Sequence, residues 1–506
     1  MTSEPEKTSF MMSNGVDSLD QTKIPFLESL LREKTLRPTS FHMPGHKGTE
    51  APHPMLLDYF GGNLYPADVV EINGNIDYLH SPKGPLLEAQ KLAAAAYNAD
   101  ETFFLINGST VGNMAAIMSV VGPGQKFIMP RASHRSVYGA IVLSGATPIY
   151  IEPDYHPDIS FPLAVSVQAV QSLLEEHPDV VAIHLTSPNY YGVLSDVAAI
   201  RNLAHSHGVA LLVDEAHGSH LGLHSDWPKS AVSLRADIIV QSTHKTQGAL
   251  TQSAMLHLND NGLVNRARVA QMLSLLQSSS PSSILLASLD AARMQMATEG
   301  RERLATILVL ARKARDAICE MDGLWCYGDE LIGANGIFAI DPSKLIIRVS
   351  ETGLSGFEAS ALLRQEYNLE VEFADLRQII CSITFADTES TIHQLLDALR
   401  HLSKYHRQIN HADFSLIKPP DGLPRSVISV RDAYFATNVR HVSLDEAVGH
   451  VLAESVIPYP PGVPLLVPGE IMEGHHRDFL QYFLGKGGSL VGIADPNLRT
   501  VRIINT

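Results

Sequence analysis

The sequence predicts an α/β fold with a mostly parallel sheet, followed by two smaller α+β domains. Between about residues 100 and 260, short apolar segments rich in β-branched residues alternate with helical stretches. Uniformly apolar strands that alternate with helices are typical of a parallel sheet covered on both faces. A segment rich in Pro and Gly, KPPDGLPRS at 418–426, marks a later boundary. We therefore predict an N-terminal arm at 1–45 and domains at 46–300, 301–416 and 417–506.

Seven strands of the large domain follow from this alternation. They are FFLI (103–106), KFIM (126–129), TPIYIE (147–152), VVAIHLT (180–186), VALLVDE (209–215), ADIIVQS (236–242) and SAMLHL (253–258). Helices are predicted between them, including SVYGAIVLSG (136–145) and DVAAIRNLAHSHG (196–208). In such folds ligands bind where the carboxyl ends of the parallel strands meet.

The two later domains have a mixed pattern. In the first of them, LIIRVS (345–350), LEVEF (369–373) and IICSITF (379–385) are predicted strands. Ser355 and Glu358 have the spacing of a capping box at a helix start. In the last domain, SLDEAVGHVLAES (443–455) is predicted to be a helix, and IPYPPGVPLLVPGE (457–470) a rigid segment.

The composition excludes several classes of protein. The 506 residues are 45% hydrophobic and 18% charged, which suits a chain that buries large cores. Acidic residues outnumber basic residues by 54 to 38, so the formal net charge is −16. A surface of this charge repels phosphate backbones and anionic lipid, so we expect neither nucleic acid nor a membrane as partner. Three cysteines, and no leader-like or long apolar segment, predict a cytoplasmic protein without a disulfide framework.

Charged side chains follow two of the predicted strands. VALLV leads into DEAH (214–217), and ADIIVQ leads into STHKT (242–246). A lysine and a carboxylate at neighbouring strand ends suit pyridoxal 5′-phosphate, which forms a Schiff base with lysine and needs an acid beside its ring nitrogen. Lys245 and Asp214 are therefore the predicted catalytic pair. The alternative for Lys245 is an ordinary solvated loop residue.

A phosphate site is predicted at a strand-to-helix turn. The segment GSTVGN (108–113) follows the first strand and starts a helix. Backbone N–H groups and the dipole at a helix N-terminus favour phosphate, although the same residues also form an ordinary helix cap. The candidate phosphate ligands are Gly108, Ser109, Thr110, Ser242 and His244.

Two rival interpretations of these motifs fail on spacing. DEAH also occurs in helicase motors, but these require a G-x-x-x-x-G-K-[ST] loop that this sequence lacks. The pairs His42/His46 and His217/His220 have metal-ligand spacing, but Pro44-Gly45 interrupts any helix between the first pair. We therefore predict neither a helicase nor a metal site.

Several motifs occur in an order that resembles one known family. They are PTSFHMPGHKG (38–48), DYLHSPKGPLLEAQ (77–90), NGSTVGN (107–113), SHRSVYGA (133–140), LTSPNYYGV (185–193), VDEAHG (213–218) and STHKT (242–246). Together with LSGFEASALLRQEYNLEVEFAD (354–375) and PYPPGVPLLVPGE (458–470), they resemble the bacterial ornithine/lysine/arginine decarboxylases of the aspartate-aminotransferase fold. The resemblance covers most of the chain from about residue 24. It implies that the large domain has fold type I of the pyridoxal-phosphate-dependent transferases.

The resemblance also implies a role for each candidate. Lys245 would bind the cofactor covalently, Asp214 would pair with the ring nitrogen, and His134 would stack on the ring. His217 would lie near the ring oxygen. From the residues alone, a single histidine after a strand is more often an ordinary turn residue than a cofactor contact. The phosphate would be held by Ser109, Thr110, Ser242 and His244. A homodimer is implied too, in which the arm carrying FHMPGHKG reaches across to the partner.

The implied reaction is decarboxylation of a basic L-amino acid. Short members of the family most often resemble arginine decarboxylases, so we expect arginine to give agmatine and CO₂ in polyamine biosynthesis, with lysine or ornithine as alternatives. A guanidinium or ammonium side chain needs an acidic partner, preferably bidentate for arginine. Glu470, at the end of the Pro-rich segment, is the predicted partner. It could equally be a surface residue at a helix start.

Two other functional classes stay open. An aminotransferase or lyase would use the same cofactor, and Arg348 on a predicted strand could be its clamp for the substrate carboxylate. A non-catalytic regulatory relative would be expected to lack the lysine or the phosphate ligands, and here all are present. Amine formation, compared with α-keto acid formation, separates a decarboxylase from an aminotransferase.

Overall fold

The computed structural model describes residues 19–36, 39–71, 74–155, 162–334, 336–406, 420–459, 462–495 and 499–505. The strands in the first half of the chain are β1 (Glu101–Leu105), β2 (Lys126–Pro130), β3 (Thr147–Ile151), β4 (Val180–Thr186), β5 (Val193–Leu194), β6 (Ala210–Asp214), β7 (Ile238–Gln241) and β8 (Ala254–Leu258). All of these except β5 form one sheet, in the order β1-β8-β7-β6-β4-β2-β3.

The direction of these strands places the site. The pairs β2–β3, β2–β4, β4–β6 and β6–β7 are parallel. Strand β8 is antiparallel to both of its neighbours, β7 and β1. The predicted α/β fold with a mostly parallel sheet is confirmed, and the carboxyl ends of β4, β6 and β7 meet at one edge.

Helices cover both faces of this sheet. Along β6, Leu211 and Val213 pack into one apolar core and Leu212 into the other. This alternation explains why the strand is apolar throughout, since neither face meets water. The helices are α1 (Pro25–Leu36), α2 (Pro54–Phe60), α3 (Leu64–Ala67), α4 (Pro85–Tyr97), α5 (Gly108–Val120), α6 (Arg135–Ser144), α7 (Val167–Glu176), α8 (Val197–Ser206), α9 (Thr243–Thr246) and α10 (Arg266–Leu276).

A second, antiparallel sheet follows the long helix α11 (Ser283–Cys319), which spans the predicted boundary at residue 300. Its strand order is β12-β13-β11-β9. Ser355 and Glu358 form the predicted capping box at the start of α12. The elements are β9 (Trp325–Tyr327), β10 (Ala339–Ile340), β11 (Lys344–Arg348), α12 (Gly356–Tyr367), β12 (Phe373–Ala374), β13 (Gln378–Ser382) and α13 (Glu389–His406), with 3₁₀ helices at Asp329–Leu331 and Ser350–Thr352.

The last part of the chain packs short strands and helices around its own apolar core. Strand β14 pairs with β17 and β15 with β16, both antiparallel. The elements are α14 (Val430–Tyr434), β14 (Val439–Ser443), α15 (Leu444–Ala447), β15 (Ile457–Tyr459), α16 (Gly474–Gly485), β16 (Ser489–Val491) and β17 (Thr500–Ile504). Across the described ranges, no helix is both long and apolar enough to span a membrane.

Two local predictions were wrong. The segment 443–455 is helical only to Ala447, because Gly449 has a φ of 87° and Leu452 then forms a β-bridge with Ile503. The segment 369–373 is extended but enters the sheet only at Phe373, which pairs with Ile380. In both places a tertiary strand pairing overrides the local pattern. The linker predicted at 418–426 lies partly outside the described residues.

Candidate functional site

The predicted carboxylate and lysine lie at the ends of adjacent parallel strands. Asp214 is the last residue of β6 and is paired in register with Val240 of β7. Strand β7 leads through Ser242 into the one-turn helix α9, which carries His244 and Lys245. Burial lowers the pKa of Lys245 and the negative charge of Asp214 opposes this change, so the two groups lie within electrostatic range of each other.

Lys245 lies in a largely buried environment of aromatic rings. Its Nζ is 3.0 Å from His217 Nε2 and 5.8 Å from the centre of the Tyr190 ring. Burial lowers the pKa of Lys245, while Asp214 and Glu372 oppose this change. A lysine whose pKa is lowered supplies more of the neutral, nucleophilic amine at neutral pH.

The carboxylate of Asp214 is 2% exposed. Its Oδ2 accepts a hydrogen bond of 2.7 Å from Asn113 Nδ2, and its Oδ1 accepts one of 3.1 Å from Ala216 N. Burial raises the pKa of Asp214, and the charge of Lys245 together with these hydrogen bonds lowers it. A protonated ring nitrogen placed beside the carboxylate would favour its ionised form further.

His134 is the N-cap of α6, and its Nδ1 accepts a hydrogen bond from Ser136 N. Burial, followed by the charges of Lys245 and Arg135, lowers the pKa of His134 to about 4. The ring is therefore neutral at physiological pH. A flat, neutral ring at this strand end suits stacking on an aromatic cofactor.

The predicted phosphate ligands gather at the start of α5. Gly108 is its first residue, with a φ of 69°, and a side chain there would meet no atom within 4 Å. Ser242 Oγ donates a 2.8 Å hydrogen bond to Ser109 Oγ, which joins the loop after β7 to this helix end. Open space above a helix N-terminus with two hydroxyl groups fits a phosphate.

Buried polar atoms without partners support a bound group at this edge. Among the described residues, Thr186 Oγ1, Thr243 Oγ1 and His217 Nδ1 are buried and make no hydrogen bond. Thr186 is the register partner of Asp214 on β4, and Thr243 precedes His244. Unsatisfied buried polar groups are rare, so a ligand that bonds to them removes a real cost. These residues therefore fit pyridoxal phosphate.

Four residues of the site were missed by the sequence arguments. Asn113 holds Asp214, and Thr186 lies beside it in the sheet. Tyr190 packs against His217 with ring centres 4.8 Å apart. Glu372, which comes from the second sheet region and is exposed, raises the pKa of both Lys245 and Tyr190 by its charge. Of the four, Thr186 ends a predicted strand, whereas Asn113 lies within α5 and Tyr190 in a turn, so no local signal joins them to the site.

The structure gives Glu470 a different environment from the predicted one. Its two carboxylate oxygens accept hydrogen bonds of 2.6 and 2.7 Å from Nη1 and Nη2 of Arg131, and Val467 N donates a further one of 2.8 Å. The side chain is buried, so its charge is neutralised within the chain. Glu470 ties the C-terminal region to the loop after β2 and leaves no unpaired charge for a substrate.

The residues considered for an aminotransferase clamp or a metal site also form ion pairs within the chain. Arg348 Nη2 is 2.6 Å from Glu351 Oε1. His46 pairs with Asp68 at 3.2 Å, and buried His220 with Asp341 at 3.2 Å. No group of three or more potential metal ligands occurs within the described part of the chain.

Comparisons with known proteins agree with this geometry. The family model described as the Orn/Lys/Arg decarboxylase major domain matches residues 24–391, and that of the C-terminal domain matches residues 421–486. An arginine decarboxylase of Bacillus anthracis is 39% identical over 96% of this chain and 98% of its own length. The constitutive ornithine decarboxylase of Escherichia coli is 25% identical over 94% of this chain and 83% of its own length.

A solved structure supports the fold independently. The lysine decarboxylase LdcF of Francisella novicida superposes with a TM-score of 0.81 at 19% identity, covering 95% of this chain and 81% of that one. The matches of the family models to both regions, together with near-complete coverage of a relative at 39% identity, show the ancestry of the chain. This protein belongs to the Orn/Lys/Arg decarboxylase family.

Proposed function

We propose that this chain is a pyridoxal-phosphate-dependent decarboxylase that converts L-arginine to agmatine and CO₂. The observation that carries the proposal is the largely buried Lys245 amine, which follows β7 and lies within electrostatic range of the Asp214 carboxylate at the end of the adjacent parallel strand β6. Arginine is favoured among the basic amino acids because the relative that matches at 39% identity is named an arginine decarboxylase, whereas the ornithine decarboxylase matches at 25%.

The residues of the site would hold the cofactor as follows. When bound, pyridoxal phosphate supplies a ring that accepts the electron pair left when the bond from Cα to the carboxylate breaks. Asp214, kept ionised, would hold the ring nitrogen in its protonated form, and His134 would cover one face of the ring. Lys245 would anchor the aldehyde carbon. The phosphate would be bound by Gly108, Ser109, Thr110, Ser242 and His244.

His217 is placed to hold the nitrogen of Lys245. The two nitrogens are 3.0 Å apart, and burial followed by the charge of Lys245 lowers the pKa of His217 well below its ordinary value. A weakened base of this kind accepts a hydrogen bond from the lysine nitrogen and does not take its proton. His217 would in this way orient Lys245 toward the aldehyde.

Glu372 is the acid that we propose for the substrate guanidinium. Its charge acts on both Lys245 and Tyr190, so it lies within electrostatic range of the site, and its side chain is exposed. Buried Glu470, in contrast, has both carboxylate oxygens bound by Arg131. A carboxylate near the site would provide the charge-assisted hydrogen bonds that arginine recognition needs.

The assembly and location that we propose are those implied by the family resemblance. The chain would act as a homodimer in the cytoplasm. Phe41 and Met43, which lie in the FHMPGHKG segment, are 94% and 61% exposed in the single chain. Large apolar side chains left exposed on such an arm are typical of a surface that a second subunit covers.

The proposal is tested by giving purified, cofactor-loaded protein arginine, lysine and ornithine separately and identifying the amine by mass. We expect agmatine from arginine. Cadaverine or putrescine would correct the substrate alone. An α-keto acid would mean an aminotransferase, and bound cofactor without any product would mean a non-catalytic relative.

The role of Glu372 is tested by Glu372→Gln. Losing a charge-assisted hydrogen bond of about 1.5 to 3 kcal/mol raises KM for arginine roughly ten- to hundredfold, with a smaller change in kcat. Glu370→Gln is the matched control, because Glu370 is exposed on the same segment and pairs with Arg364. Equal KM values in the two variants would remove Glu372 from the proposal.

A further inference from the structure

Three buried side chains and the partly buried His134 form a continuous line of hydrogen bonds at the site. Asn113 Nδ2 donates to Asp214 Oδ2 at 2.7 Å and to Ser136 Oγ at 3.1 Å. Ser136 Oγ lies 2.8 Å from His134 Nδ1. Asn113 and Ser136 are each at most 2% exposed. The line joins the carboxylate that would pair with the ring nitrogen to the histidine that would stack on the ring.

The backbone N–H of Ser136 sets the direction of the hydrogens along this line. It donates to His134 Nδ1 at 3.2 Å, so this nitrogen accepts and carries no proton itself. The hydroxyl group of Ser136, 2.8 Å from the same nitrogen, must then be the donor to it. At the other end, an ionised carboxylate accepts and cannot donate, so one hydrogen of the Asn113 amide points to Asp214 and the other to Ser136 Oγ.

We infer that Asn113 and Ser136 are positioning residues, which hold His134 as the neutral tautomer protonated on Nε2 and aim Asp214 at the same time. The inference rests on the proposed function in one respect, namely that His134 and Asp214 both contact the cofactor. The tautomer itself is a property of the chain. Because one amide serves both groups, a single substitution at Asn113 disturbs both.

The surrounding charges act in the same direction. Lys245 and Arg135 face His134 and disfavour its protonated form, as does burial. His184, fully buried on β4, is also coupled to His134 and has a pKa lowered to about 3 by burial, followed by that interaction. No neighbour among these supplies a negative charge that would favour a proton on Nδ1. Ser136 and Asn113 therefore decide which ring nitrogen holds the hydrogen.

The test uses the full chain labelled with ¹⁵N-histidine, loaded with pyridoxal phosphate and also without it. We expect the His134 signals to show a protonated Nε2 and a bare Nδ1 from pH 6 to 9. In Ser136→Ala the two tautomers mix and the pKa of His134 rises, since a hydroxyl donor to Nδ1 is lost. In Asn113→Ala we expect less mixing of the tautomers than in Ser136→Ala. The hydroxyl group of Ser136 is still present and can donate to Nδ1, although it is free to rotate.

A second measurement reports on Asp214, at the other end of the hydrogen-bonded line. In the loaded enzyme, we expect Asn113→Ala to shift the pH midpoint of the visible absorption band and to lower kcat about tenfold, as loss of an outer orienting partner does elsewhere. Ser136→Ala changes kcat with little effect on that midpoint. Ser144→Ala, at the far end of α6, is the matched control, and Ser136→Thr restores the hydroxyl and the tautomer.

The outcomes separate this inference from the proposed function. A proton on Nδ1 of His134 in the unmodified chain, or an unchanged tautomer in Ser136→Ala, overturns the inference whether or not the chain decarboxylates arginine. A chain with the expected tautomer that binds no pyridoxal phosphate leaves the hydrogen-bonded line intact and overturns the proposed function instead.

Discussion

Two buried charged groups in this chain, the Arg131–Glu470 pair and the Lys245–His217 pair, differ in how completely their polar atoms are hydrogen-bonded. In the first, both oxygens of Glu470 are bound by terminal nitrogens of Arg131 at 2.6 and 2.7 Å, and Arg131 Nε alone is left without a partner in the described part of the chain. In the second, Lys245 contacts one nitrogen of His217 at 3.0 Å, and His217 Nδ1 and Thr243 Oγ1 have no partner among the described residues. Both groups join segments that are distant in the sequence.

The difference distinguishes a structural ion pair from a ligand site. A carboxylate that is already bound at both oxygens has no charge to offer, and removing its partner is costly because a buried charge is left behind. Buried polar atoms without partners, in contrast, are stable only when something else bonds to them. Among the described residues, three buried polar atoms near Lys245 and Asp214 lack a partner (Thr186 Oγ1, His217 Nδ1 and Thr243 Oγ1), against the single Arg131 Nε in the ion pair. This cluster of unpaired atoms indicates function, whereas burial and charge alone do not.

The largest effect is expected from Lys245→Ala. Without the amine the cofactor has no covalent anchor, so amine formation falls by about 10⁴-fold or more and the visible absorption of the bound cofactor is lost. The folded chain should be no less stable, because burying a lysine is itself unfavourable. Thermal unfolding measured beside the activity assay checks both. A stable, fully active variant would mean that Lys245 and its surroundings are not the catalytic site.

The next largest effect is expected from Glu470→Gln, and it is an effect on stability. The change leaves Arg131 charged, buried and without its counter-ion, at a cost of about 3 to 5 kcal/mol in the free energy of unfolding. Urea unfolding of the cofactor-loaded protein measures the loss. Glu370→Gln is the control, because its exposed pair with Arg364 contributes less than about 1 kcal/mol.

Equal losses in Glu470→Gln and Glu370→Gln would erase the contrast between a structural pair and a site. A raised KM for arginine in Glu470→Gln, without a loss of stability, would return Glu470 to its role as the predicted substrate partner.

The smallest expected effect is a loss of folding stability at low pH. It depends on two histidines, one beside each of the two buried charged groups. Burial, the first cause, lowers the pKa of His134, next to Lys245, and of His476, next to Arg131, each to about 4 from an ordinary value of 6.5. Below pH 6.5 the unfolded chain binds protons that the folded chain does not, so stability falls as the pH drops toward 4.

Each of the two histidines should contribute on the order of 1 to 2 kcal/mol of this loss at pH 5. Urea unfolding at pH 7 and pH 5 measures it, and His134→Gln or His476→Gln should reduce the difference between the two values. A free energy of unfolding that rises toward pH 5 in the unmodified chain would show that these rings are protonated in the folded state.

The sequence was sufficient for the parts of the molecule that depend on local pattern. Apolar strands separated by helices predicted the sheet, and the polar residues after VALLV and ADIIVQ placed Asp214 and Lys245 at strand ends. The strand-to-helix turn at Gly108, where we propose that the phosphate binds, followed from the same reasoning. These features depend on residues that are close together in the sequence, so the alternation of apolar and polar residues and the choice of turn residues predict them.

The remainder depends on contacts between distant residues. Glu470 meets Arg131 across 339 positions, and Asn113 meets Asp214 across 101, so neither partnership has a local signature. Glu372, the acid that we propose for the substrate, immediately precedes β12 of the second sheet, and spacing along the chain does not reveal its effect on Lys245. The role of His134 was indicated by the family resemblance, and only the structure identifies Ser136 as its hydrogen-bond partner.

The most direct test of the central claim is to find which lysine binds pyridoxal phosphate. Purified protein is incubated with the cofactor, reduced with sodium borohydride and digested, and the peptide that carries the reduced cofactor is identified by mass spectrometry. The modification is predicted on Lys245. Labelling of another buried lysine such as Lys344, which is 2% exposed and donates to Ser382 Oγ, would contradict the proposed site, as would the absence of any labelled peptide.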